Sequence, residues 1–178
     1  MTGFLRFIGI LNAAVWLGTA VFFTFGAEPA CFSADMRSAL QLPAGDSYFP
    51  GAISGIVMSR YYALMMACAV VAVLHFLAEW FYMGRPRRKF SFGLVAVLFV
   101  FTLIASRAVH PSLVHFNDRH YRAAQPAERE SAGKHFRVLH VASTALNLLI
   151  IGGLVVYVSR VSSASDTLRF MRPVQFRG

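Results

Sequence analysis

The stretch K-H-F-R-V-L-H-V-A-S-T-A-L-N-L-L-I-I-G-G-L-V-V-Y-V-S, Lys134 to Ser159, starts basic and turns into an uncharged apolar run at Val138, with no proline to interrupt a helix. A helix rises 1.5 Å per residue, so roughly 20 apolar residues cross the ~30 Å hydrocarbon of a bilayer. Three further charge-free runs support the same reading: Phe7 to Ala27, Tyr61 to Ala78, and Phe90 to Ser106. The last is short, and snorkelling of Lys89 and Arg107 at its ends extends it. The chain is 57% hydrophobic with a mean hydropathy of +0.56, more than a water-soluble core requires. The fold class is therefore all-α: a polytopic membrane protein with four transmembrane helices in an antiparallel bundle. Pro126, with Glu128 and Glu130 in the turn it opens, marks a helix start. A helix from there to Ser159 is about 51 Å long, so helix 4 extends outside the bilayer by about three turns.

The spans are expected at about 5–28, 53–82, 89–109 and 126–159, in one transmembrane domain over 1–160 followed by a basic tail over 161–178. The first run is longer than a signal-peptide core and leads directly into Glu28-Pro29, which predicts an uncleaved span. C-F-S-A-D-M-R-S-A-L then reads as a short surface helix and L-P-A-G as a turn. Helix 2 begins near Pro50, which places Arg60 inside a helix at the interface. The segment Val109 to Arg137 reads as a polar connection, with His115 and His120 in irregular chain. Both termini and the G-R-P-R-R-K turn share one side, and that turn holds four cations directly against two spans. This predicts cytoplasmic termini in a cell inner membrane, with the long connections outside.

The net charge of +9 resides in the connections, where it faces lipid head groups; nucleic acid is not an expected partner. Cys31 and Cys68 differ in depth by about 12 Å and are not expected to pair. No zinc spacing, phosphate-binding glycine loop, nucleophile elbow or paired catalytic carboxylates occur, so the protein is expected not to be an enzyme.

Polar residues at membrane depth are the candidate site. Phe136, His140, Ser143 and Asn147 fall within a ~60° stripe of one helix face. Such residues avoid lipid and turn inward, as interhelical bonds or as the lining of a pocket. Glu28, Arg60, Arg107, His110 and His140 come from four helices at similar depth. Together with Ser143 and Asn147 they form an expected outward-facing polar cluster, the alternative being independent snorkelling anchors. His75 and Glu79 make a secondary pair at i, i+4, on a stripe with Tyr61, Cys68 and Tyr82; Asn12, Thr19 and Gly26, with Trp16 beside them, form a further seam. Bis-histidine haem fits poorly, because His75 lies roughly 22 Å from the outer end and His140 roughly 5 Å. Metal binding by His110, His115, His120, His135 and His140 matches no compact motif, and no cofactor is predicted.

W-L-G in span 1, E-P-A-C-F at its end, S-R-Y-Y opening span 2, H-P after span 3, and H-F-R-V-L-H-V-A-S-T-A-L-N entering span 4 resemble the transmembrane-protein-205-like family. That family is also described as domain of unknown function 4149. The resemblance covers roughly Phe4 to Val158 and implies that Pro29, Phe32, Arg60, Tyr62, Pro111, Phe136, His140, Ser143 and Asn147 are signature residues. It implies four membrane helices but no settled activity. An association of some eukaryotic relatives with tolerance of metal-containing drugs points toward transport or trafficking. Two classes of function stay open: small-solute or metal handling by the polar cluster, and an accessory subunit of a larger membrane, or electron-transfer, complex. A homo-oligomer is a further open partner besides lipid.

Overall fold

In the computed structural model, residues 2–43, 48–83 and 89–163 are described. The arginines of the G-R-P-R-R-K turn and the tail from residue 164 onward lie outside them. The described chain is helical, with α1 Thr2–Phe22, α2 Glu28–Cys31, α3 Ala34–Ala39, α4 Tyr48–Met83, α5 Lys89–Ile104, α6 His110–Arg122 and α7 Pro126–Ser163. A π turn over Phe23–Ala27 joins α1 to α2, and another over Ala105–Val109 joins α5 to α6, so each joined set runs as one rod. Four segments are long and apolar enough to cross a membrane: Phe7–Cys31, Tyr48–Phe81, Phe90–Arg122 and Pro126–Ser162.

Each rod buries one face. Along the first rod the buried side chains include Ala13, Trp16, Ala20 and Phe23; along α7 they include Ser143, Asn147, Ile150, Leu154 and Tyr157. Steps of three and four keep these side chains on one stripe. The opposite faces are apolar too: Phe22 is 72% exposed, Phe81 84% and Val141 69%. A surface of that kind suits lipid and would drive aggregation in water. Around the bundle α1 packs on α4 and α7, and α5 also packs on α4 and α7. Chain neighbours are therefore antiparallel neighbours, with α4 and α7 facing across the diagonal.

Gly153 sets the approach of α7 to α5. A Cβ there would lie 2.8 Å from Leu98 Cδ2, whereas at Gly152 nothing stands within 4 Å. Leu98 is itself enclosed, so it has no room to yield. Gly153→Val is expected to lower stability by about 1–3 kcal/mol through overpacking, and Gly152→Ala to leave it unchanged or slightly raised. Thermal unfolding in detergent separates the two.

The structure corrects the third span. The chain does not leave the helix at His110-Pro111 but continues to Arg122, leaving only Ala123 to Gln125 as a connection. His115 and His120 are thus helical. Proline lacks an N–H and crowds the carbonyl four residues back, which ordinarily ends or kinks a helix. Here the preceding turn widens: the His110 N–H donates to Ala105 O, and in the matching place before Pro29 the Glu28 N–H donates to Phe23 O. Both π turns lie at the pole that also carries Pro50 and Pro126, called below the proline end; the opposite pole is the terminal end.

The surface helix α3 forms as expected. Ser33 Oγ accepts the Met36 N–H at 3.1 Å, and Gln41 ends the segment at φ 52°. The start of α4 is tied to α6 by Tyr48, whose hydroxyl accepts from Arg122 Nη2 at 2.5 Å, while Arg122 pairs with Asp118 at 2.9 Å.

Candidate functional site

The polar side chains of the proline end form a chain across three helices. Tyr61 Oη donates to Asn147 Oδ1 at 2.5 Å; Asn147 Nδ2 donates to Thr24 Oγ1; Thr24 Oγ1 donates to Ala20 O at 2.8 Å. One carboxamide thus uses both its acceptor and its donor to join α4 to the first rod. Phe23 stacks on Tyr61 at 4.0 Å and 9°, which fixes the phenol. Beside it, Tyr62 hydrogen-bonds Ser143 and meets the His110 ring edge-on at 5.8 Å. His110 Nε2 lies 3.1 Å from Gly55 O. A carbonyl only accepts, so Nε2 carries the proton and Nδ1 is left as an acceptor when the ring is neutral.

Glu28 faces His140, with Oε1 3.8 Å from Nδ1 and side-chain exposures of 15% and 41%. That separation is an ion-pair contact too long for a direct hydrogen bond, a distance over which a water commonly bridges. His140 also stacks on Phe136 at 6.0 Å. Next to the pair opens a cleft lined by Phe32, Gly51, Ser54, Gly55, His110 and His140. Its volume of about 30 Å³ takes about two water molecules and excludes any sizeable organic solute. Gly51 is required beside it, since a Cβ would lie 2.8 Å from the buried Asn117 amide.

The structure therefore brings together Glu28, His110, His140, Ser143 and Asn147 of the expected cluster. Arg60 and Arg107 stand exposed, with no ion pair to these residues among the described ones. Tyr61, Tyr62, Thr24 and the small residues Gly51, Ser54 and Gly55 belong to the site as well. In the sequence, a helical stripe singled out Tyr61 and the family resemblance singled out Tyr62, whereas Thr24, Gly51, Ser54 and Gly55 were not singled out. The secondary pair forms, with His75 Nε2 3.4 Å from Glu79 Oε1.

Of the remaining histidines, His120 and His135 contact the facing helix of the α6–α7 hairpin, and His115 stands exposed. His120 Nδ1 meets Arg129 O at 2.8 Å, and Phe116 stacks on His135 at 5.1 Å. Among the described residues no group of three or more His, Cys, Asp or Glu side chains is placed to hold a metal ion.

Four apolar rods enclosing a polar end define a polytopic helical membrane protein. The family described as Domain of unknown function (DUF4149) matches residues 11–122, more than half of the chain, and the protein belongs to that family. The matched residues include Glu28, Tyr61, His75, Glu79 and His110, and end before α7 contributes His140, Ser143 and Asn147. No curated protein and no solved structure matches the chain.

Proposed function

We propose that the protein is a non-enzymatic handler of a small cation, the proton included, which enters the cleft at the proline end and meets the Glu28–His140 pair. The observation that carries this reading is a largely enclosed carboxylate set 3.8 Å from a half-exposed imidazole at the mouth of a water-sized cleft. An ionisable residue at membrane depth is costly and marks a path or a counter-charge. The cleft's size narrows a small-solute role to something as small as a hydrated proton or a single monovalent ion. Transition-metal handling is the weaker form of the idea, because among the described residues no three ligand-type side chains come together.

The narrower likeness to transmembrane-protein-205-like proteins belongs to the same proposal; its most specific motif, Phe136 to Asn147, supplies half of this site. The basic turn supports cytoplasmic termini in an inner membrane, an orientation that would put the cleft outside. The accessory-subunit reading rests on exposed apolar faces that lipid covers equally well. Reconstitution into liposomes containing a pH-sensitive or cation-sensitive dye tests the proposal. Flux above that of empty liposomes is expected for protons or for one monovalent cation; its absence for all of them would sink the reading.

A further inference from the structure

The terminal half of the bundle holds polar groups that the cleft does not use. Trp16 and Tyr157 are wholly enclosed, and their rings meet edge-on at 6.3 Å. Phe76 lies 6.4 Å from Tyr157 and 6.1 Å from His75, so one connected layer of rings spans α1, α4 and α7. In this layer Trp16 Nε1, Tyr157 Oη and His75 Nδ1 are buried without a hydrogen-bond partner among the described residues. Gly9 makes room for the imidazole, since a Cβ there would lie 2.7 Å from His75 Nε2.

Buried polar groups are normally hydrogen-bonded, to ordered water where no protein group serves. Three unpaired ones in a single layer would cancel a large share of a protein's net stability. Their chemistry is complementary to water. The indole N–H only donates, and the phenol O–H can donate. The imidazole, with Nε2–H directed at Glu79, presents Nδ1 as an acceptor. A water accepts two bonds and donates to a third group, as buried waters typically do.

We propose that the layer of Trp16, His75 and Tyr157 is a water-binding site beside the His75–Glu79 pair. The bundle then carries one hydrated histidine–carboxylate pair in each half. Between them lie Ala20, Met65, Ala69, Ile150 and Leu154, all fully enclosed and apolar. The inference stands independently of cation handling at the proline end.

Pulsed X-ray hydroxyl-radical labelling of the full chain in phosphatidylcholine–phosphatidylglycerol nanodiscs, read by mass spectrometry, tests it, because bound water generates radicals in place. After correction for intrinsic reactivity, Trp16 and Tyr157 are expected to be oxygenated several-fold faster than the equally enclosed Leu98 and Ile150. Rates no higher than those of Leu98 and Ile150 would overturn the proposal. Tyr157→Phe supplies a second test, because it keeps the ring and removes only the hydroxyl. A hydrated site loses a bond, and the melting temperature falls by a few degrees; a dry one sheds an unpaired hydroxyl, and the temperature rises. An unchanged or raised melting temperature is also sufficient to overturn the site.

Discussion

Replacing Asn147 by Leu is expected to lower the stability of the bundle by about 2–4 kcal/mol, with unfolding in mixed micelles as the readout. The substitution removes the bonds to Tyr61 and Thr24, each worth about 0.6–2 kcal/mol between membrane helices. It also strands the Tyr61 hydroxyl, at about 1–3 kcal/mol; Thr24 keeps its bond to Ala20 O. Non-additivity is the sharper signature. Once Tyr61→Phe has removed the hydroxyl, Asn147→Leu has less left to disrupt, so the double variant costs less than the sum of the singles. Additive losses, or a loss below about 0.5 kcal/mol, would mean that Asn147 only fills space.

Glu28→Gln is expected to reduce cation or proton flux by about tenfold or more, corresponding to roughly 1.4 kcal/mol of lost charge interaction. The change is isosteric, so the fold should be retained and melting temperature serves as the control. The largely enclosed side chain of Glu28 limits screening by solvent. His140→Gln should act through the same contact, and the double variant should be no worse than the more damaging single one. Arg107→Gln, at an exposed position of the π turn, is expected to leave flux near wild type.

Depth along the chain was legible in the sequence, and direction around the helix only partly. Charge-free runs located the four rods, and steps of three and four placed Ser143 and Asn147 on the inner face of α7. Arg60 shows where depth misleads: it stands at the level of the site, but the next two residues, Tyr61 and Tyr62, take the buried face and leave it exposed. Arg107 shows where regular geometry fails, because it lies inside a π turn and a 100° step per residue no longer gives its direction. The same turn hid the length of the third rod. Pro111 is an ordinary stop signal, and nothing local to it announces that the turn before will widen. Partner choice was the least legible feature. Periodicity shows that Tyr61 faces inward, but only the diagonal placement of α4 and α7 shows that it meets Asn147.

The central claim is that a water-sized cleft opens at the proline end, on the side of the membrane away from the chain termini. Accessibility of a thiol introduced by Ser54→Cys tests it most directly, in a background carrying Cys31→Ala and Cys68→Ala, in sealed vesicles whose orientation is fixed by protease access to the C terminus. Ser54 is 6% exposed and lines the cleft. The thiol should react with Ag⁺ added to the side opposite the C terminus and resist a bulky charged maleimide from either side. A thiol that ignores Ag⁺, or that reacts from the side of the C terminus, would contradict the account.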